Sequence, residues 1–223
     1  MSLQQVLQRP DVWRGSHSPE TPTIATGIVA LDALLPGGGW PANALTDVVL
    51  AREGIGELRL LLPAIAHLSR GDRWIAFIAP PYIPYAPALA AAGVDLSRLL
   101  LVHPRGRAEH LWAIETSLRA GACAAVLGWV QDVTAAHLRR WQLAAEAGGA
   151  LGVLFQRQNI PHSPAALRLQ LAPADGTALA LTILKRRGGW PVGPVRLELD
   201  HAVAVPAAAG FSARDMQPRR AAG

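Results

Sequence analysis

Short, nearly unbroken apolar runs alternate with helical patterns through the middle of the chain. Leu45 to Leu50, Trp74 to Ala79, Leu99 to Val102, Ala122 to Leu127 and Leu151 to Phe155 are runs of the first kind, the mark of strands buried on both faces. Between them, Ile55 to Arg70, Pro84 to Ala92, Ala108 to Ala120 and Thr134 to Ala147 read as helices. A parallel crossover must travel back over one face of its sheet, so this alternation predicts an α/β core with a mainly parallel central sheet and helices on both faces. After Ile160 the rhythm changes. Leu167, Leu169 and Leu171 alternate with Arg168 and Gln170, and Val195, Leu197 and Leu199 alternate with Arg196 and Glu198. With Ala178 to Leu184 between them, these period-two runs predict antiparallel strands with one wet face at the C-terminal edge of the sheet, and no helix.

The two ends carry different signals. Leu3, Val6 and Leu7 stand at i, i+3 and i+4, a short helical start, and Gly15 to Thr23 is a linker of Ser, His, Pro and Thr. His201 to Gly223 holds Ala, Pro, Arg and Gly in no pattern that buries a face. The expected division is an arm over 1–23, one domain over 24–200 and a mobile tail over 201–223.

Composition narrows the class. The chain has 223 residues, 51% hydrophobic and 17% charged, with a formal charge of +5; this suits one mid-sized domain with a core of its own. Its single cysteine, Cys123, forms no internal bridge, which fits a reducing cytoplasm. Met1 to Pro10 is polar and lacks the basic and apolar regions of a leader. No apolar run approaches the roughly 18 residues of a membrane span. The basic excess is modest and hints only weakly at an anionic partner. Phosphate neutralisation by Arg139, Arg140, Arg157, Arg168, Arg219 and Arg220 would supply a salt-sensitive, weak contact with DNA.

The turn after the first core strand, Ala51-Arg52-Glu53-Gly54-Ile55-Gly56-Glu57-Leu58, has the strand, loop and helix placement of a P-loop. A working loop needs a Gly to open the turn, a Lys for the phosphates and a Ser or Thr for magnesium. Those places hold Ala51, Glu57 and Leu58. A carboxylate at Glu57 about 4 Å from a phosphate oxygen is opposed by roughly 4 kcal/mol at an effective dielectric near 20. Gly54 and Gly56 read most simply as a tight turn.

The order Thr26-Gly27, Leu31-Asp32, Leu34, Gly37-Gly38-Gly39-Trp40-Pro41, the degenerate loop, Phe77-Ile78 and Gly93-Val94-Asp95 resembles the RecA recombinase core. That resemblance places the family's catalytic Glu on Pro81 and its Walker B Asp on Gly128, which implies a RecA-like scaffold with no ATPase activity, no catalytic residues, no cofactor and no metal. It further implies that Lys185 and Arg187, in Leu184-Lys185-Arg186-Arg187-Gly188-Gly189-Trp190-Pro191, stand where two lysines reach a neighbouring subunit's nucleotide. A solvated basic hairpin explains the same run. Leu3, Val6, Leu7 and Trp13 resemble the arm by which a RecA subunit docks on its neighbour, although Trp13 also fits a fold back onto its own sheet. Such arms complete homodimers as readily as heterologous contacts, so self-association stays open.

Two families of degenerate RecA relatives are similar to this chain in Gly56 to Pro63, Trp74, Ile78 to Pro81, Leu118 to Gly121 and Gly128-Trp129. They are ImuA, partner of ImuB and an error-prone replicative-type polymerase in damage-induced translesion synthesis, and SulA, the inhibitor of the division protein FtsZ. The arm, the Gly-Gly-Gly-Trp-Pro turn and the basic hairpin resemble ImuA. The resemblance implies a cytoplasmic, non-catalytic adaptor for ImuB and the polymerase that contacts or caps RecA filaments through Lys185, Arg186 and Arg187. No His-x-x-x-His pair is present, Cys123 lies in an apolar strand, and Ser117 and Ser163 lack a nucleophile motif. Trp74, Trp112, Trp129 and Trp141 are expected in the core. Tyr82 and Tyr85 are expected to fill the space that nucleotide would take.

Overall fold

The computed structural model describes residues 22–199. The predicted arm residues Leu3, Val6, Leu7 and Trp13 and the tail with Arg219 and Arg220 lie outside them. The element order begins with β1 (Thr23–Ile24), α1 (Val29–Asp32) and β2 (Trp40–Pro41). Next come β3 (Leu45–Leu50), α2 (Leu62–Leu68), β4 (Trp74–Ile78), α3 (Ala86–Ala91), β5 (Leu99–Val102), α4 (Arg107–Arg119), β6 (Cys123–Trp129), α5 (Ala135–Gly148) and β7 (Leu151–Gln156). Three strands close the order: β8 (Leu167–Pro173), β9 (Leu179–Lys185) and β10 (Val192–Leu197). The small antiparallel pair β1 and β2 and the helix α1 have no counterpart in the periodicity.

Eight strands form one sheet in the order β10-β9-β8-β3-β7-β6-β4-β5. The five apolar runs all become parallel strands, as expected. The three alternating runs become strands too, but with one correction: β8 runs parallel to β3, and the antiparallel pairings are β8 with β9 and β9 with β10. Period-two alternation reports which face is wet, not which way a strand points. The result is a mixed α/β fold with a mostly parallel central sheet and antiparallel strands at one edge.

Each face of the sheet has its own core. On one, Leu61, Ile65 and Leu89 pack on Val48, Phe77, Leu127 and Phe155. On the other, α4 and α5 set Ile114, Leu118, Leu138 and Trp141 on Leu45, Ile78, Val126 and Leu154. The strand pleat sends alternate residues to opposite faces, so β7 gives Val153 and Phe155 to the first core and Leu154 to the second. α5 begins at a capping box in which the Thr134 N–H donates to His137 Nδ1 at 3.1 Å, and it stops at Gly149, whose φ of 63° is left-handed.

Not every expected core tryptophan is inside. Trp141 and Trp129 are buried, and Trp74 is half-buried beneath the Arg98 guanidinium, 5.9 Å from its ring centre. Trp112 is 63% exposed, a correction, because it lies on the side of α4 turned away from Ile114.

The C-terminal ends of α4 and α5 meet through a glycine. A Cβ on Gly148 would fall 2.0 Å from the Leu118 carbonyl oxygen and 2.8 Å from the Arg119 carbonyl carbon. Backbone cannot move aside as a side-chain tip can, so Gly148→Ala is expected to lower unfolding stability by about 3 kcal/mol, read as a reduced urea midpoint at unchanged slope.

Candidate functional site

The loop that leaves β3 is built around a buried carboxylate. Glu57 is 5% exposed; its Oε1 accepts from the Gly54 N–H at 3.1 Å and its Oε2 from the Gly56 N–H at 3.1 Å. Gly54 and Gly56 have φ of 75° and 102°, left-handed conformations that glycine takes at little cost, and both turn their N–H groups onto the carboxylate. Such a concavity binds anions, and here the chain supplies the anion. This arrangement also corrects the expected start of the next helix. Ile55 to Leu61 form turns, and α2 begins only at Leu62, because the Glu57 contacts curl the backbone before it can enter a helix. Ala51 is exposed, and Leu58 packs half-buried against the core.

The two positions matched to acidic residues lie in different surroundings. Gly128 lies in β6, where an added Cβ would stand 3.0 Å from Leu154 Cδ2 and 3.1 Å from Ile114 Cδ1, so a larger side chain would require those two residues to shift. Pro81 is exposed in the loop after β4. Tyr82 approaches the Glu57 loop, its Cε2 being 3.6 Å from where a Cβ on Gly54 would sit. Yet Tyr82 and Tyr85 are 65% and 51% exposed, so neither fills an internal space as expected.

A second buried carboxylate lies deeper in the sheet. Asp47, on β3, is fully buried and pairs with Arg168 of β8, Nε to Oδ2 at 3.0 Å, while the Gln156 side-chain amide of β7 donates to Oδ1. Arg168 also donates to Asn159 Oδ1 at 2.7 Å. Arg168 is therefore not a DNA contact, contrary to its reading from sequence, because its guanidinium is held within the sheet. Arg140 is exposed but donates to Glu115 at 2.5 Å; Arg139 and Arg157 are exposed.

The hairpin after β9 divides the three predicted contact residues. Lys185 is exposed, while its ammonium bends back to donate to the Ser163 carbonyl at 3.0 Å. Arg186 is half-buried and bonded within the chain, to the carbonyls of Leu34 and Trp190. Arg187 is exposed, and Trp190 beside it is 85% exposed. Lys185 is the single lysine among the 223 residues. Its ammonium is held below the ordinary lysine pKa, first by burial and then by repulsion from Arg168 and Arg187, with Asp47 opposing. Burial likewise pushes the Cys123 thiol up, the direction of an unreactive sulfur.

A cleft of about 610 Å³ opens at the carboxyl ends of the parallel strands. Val49, Leu50, Ala51 and Val130 form its apolar part, and Gln131, Asp132, Gln156, Arg157, Gln158, Asn159 and Gln170 its polar part. Val49 pairs with Gln156 on one side and Gln170 on the other, so the three stand abreast across β7, β3 and β8. Open α/β sheets bind ligands at this edge. Sequence reasoning did not find the cleft: its amides come from separate elements and make no local motif.

The fold and this loop define a mixed α/β protein in which an anion-cradling turn is closed by its own carboxylate. The profile of the family Cell division inhibitor SulA matches residues 44–152. The Cell division inhibitor SulA of Edwardsiella piscicida is 34% identical over 99 residues, covering 44% of this chain and 59% of that protein. Protein ImuA of Caulobacter vibrioides is 33% identical over 153 residues, covering 65% of this chain and 61% of that protein. Protein RecA of Rubrobacter xylanophilus is 29% identical over 176 residues, covering 79% of this chain and 50% of that protein. The chain is a protein related to ImuA and SulA. It spans about three fifths of the length of the SulA and ImuA relatives. No helix among the described residues is long and apolar enough to cross a membrane.

Glu57→Gln leaves one carboxamide oxygen for two glycine N–H groups. It is expected to cost about 1–2 kcal/mol of stability, measured by thermal and urea unfolding, and to increase amide exchange at Gly54 and Gly56. The lone lysine allows a second measurement. Dimethylated with ¹³C, Lys185 should titrate in the folded chain below its midpoint in denaturant, where lysine titrates near about 10.4. Arg187→Ala should move the folded midpoint upward, since removing a like charge favours the ammonium.

Proposed function

We propose that this chain is a non-catalytic adaptor of damage-induced translesion DNA synthesis. In this reading a RecA-like core has lost nucleotide chemistry and kept its contacts with other proteins, holding ImuB and an error-prone replicative-type polymerase in the cytoplasm and touching or capping RecA filaments. The observation that carries it is the Glu57 carboxylate on the Gly54 and Gly56 N–H groups, where a nucleotide-binding loop would hold phosphate. Gly128, packed against Leu154 and Ile114, supports the same loss at the second acidic position. Likeness to RecA over 79% of the chain supports the RecA-like scaffold. ImuA of Caulobacter vibrioides is 33% identical over 65% of the chain, whereas SulA of Serratia marcescens covers 69% at 26% identity; the higher identity over a like span supports the ImuA branch.

Lys185 and Arg187 are the exposed basic residues of the hairpin and the Lys185 ammonium is already held by the Ser163 carbonyl, so the reading assigns the filament contact first to Arg187 and to the hairpin backbone rather than to Arg186. Arg187→Ala is expected to weaken retention on ATP-bound RecA filaments about tenfold, the size of a modest interface hot spot, and to leave co-purification with ImuB intact. Equal retention of both proteins removes the RecA contact; failure to co-purify with ImuB removes the adaptor role.

The SulA match over 44–152 favours a second reading, inhibition of cell division through FtsZ. Overproduction separates the two. Raised damage-dependent mutation in cells of normal length supports the adaptor, and filamentous cells support the inhibitor.

A further inference from the structure

We propose that the cleft at the carboxyl ends of β3, β6, β7 and β8 is a binding site for a short uncharged stretch of polypeptide on a protein partner. The first observation is an unpaired acceptor. Gln156 lines the cleft and is 3% exposed. Its Nε2 is committed to Asp47, and its Oε1 has no hydrogen-bond partner among the described residues. A buried amide oxygen without a donor costs free energy that the fold recovers only when something donates to it. Asp47 fixes the amide by accepting from its nitrogen, so the side chain cannot turn over to satisfy itself.

The second observation is the chemistry of the walls. Five carboxamides, Gln131, Gln156, Gln158, Asn159 and Gln170, surround a floor containing Val49 and Val130. A carboxamide carries one acceptor and one donor group, the same pair that each peptide unit presents. Charge decides against a phosphate ligand: among the lining residues the one cation, Arg157, is matched by the one carboxylate, Asp132. Nucleic-acid sites neutralise several phosphates with several cations. An uncharged, amide-bearing ligand lying over an apolar floor satisfies the walls and the orphan oxygen together. The volume, about 610 Å³, suits a few residues rather than a domain surface.

The inference deepens the adaptor reading and rests on it only for the source of the polypeptide. Its test needs no named partner. A phage-displayed library of random dodecapeptides is panned on the full chain, and the enriched peptides are then measured against variants. Gln158 and Gln170 are exposed, so Gln158→Ala/Gln170→Ala should fold normally, and Gln156→Met removes the orphan acceptor while keeping the side chain's length. Enriched peptides are expected to lack charge and to bind both variants about tenfold more weakly, the loss of one or two hydrogen bonds. Absence of enrichment overturns the site, as does equal binding to Gln158→Ala/Gln170→Ala. Retention of oligothymidylate by the wild type and not by the double variant overturns it in favour of nucleic acid. If ImuB still co-purifies in those cases, the adaptor reading stands without the cleft.

Discussion

A carboxylate with no access to water sits in the middle of the sheet, and its neutralisation organises three strands. Asp47 on β3 is met by Arg168 from β8 and Gln156 from β7. Removing one partner of such a buried pair costs about 3–5 kcal/mol, which makes the register of β3 against β8 a condition of folding rather than a preference. The consequences extend outward. Arg168 holds Asn159, and the segment that carries Asn159 and Ser163 lies over this face, with the Ser163 carbonyl receiving Lys185 at the base of the hairpin. One network thus joins the floor of the carboxyl-edge cleft to the turn that carries Arg187 and Trp190.

Glu57 applies the same principle at the loop. In both places a carboxylate that would be costly unpaired is satisfied by groups of the same chain, two backbone N–H groups in one case and a guanidinium with an amide in the other. Asp47 fixes strand order and Glu57 fixes the shape of a turn. Large side chains left at the surface lie elsewhere, among them those of the Tyr82 and Tyr85 loop and the Arg187 and Trp190 turn.

The parallel strands were readable because their burial is continuous: Ile75 to Ile78 and Ala124 to Leu127 are apolar at every position, which few other structures require. The C-terminal strands were readable from alternation, although not in direction, since β8 takes its orientation from pairing with β3. The late start of α2 was hidden because Ile55 to Leu61 carries a helical apolar spacing that the Glu57 contacts override. The degenerate loop itself was legible, since a carboxylate in place of a lysine changes the sign of the site whatever the fold around it. Arg168 was misread as outward-facing, and the Arg186 bond to Leu34 went unseen: the partners Asp47 and Leu34 lie 121 and 152 positions away, beyond any local pattern. Trp112 failed for a different reason, because a helix with a weakly divided surface does not announce which side its largest residue takes.

A turn whose two inward N–H groups are already taken by its own carboxylate needs no outside anion to hold its shape. Machines that grip and release by hydrolysis count time in turnover. On the adaptor reading proposed above, a chain whose loop is closed at Glu57 would have no such clock, and its complexes would last as long as dissociation alone allows.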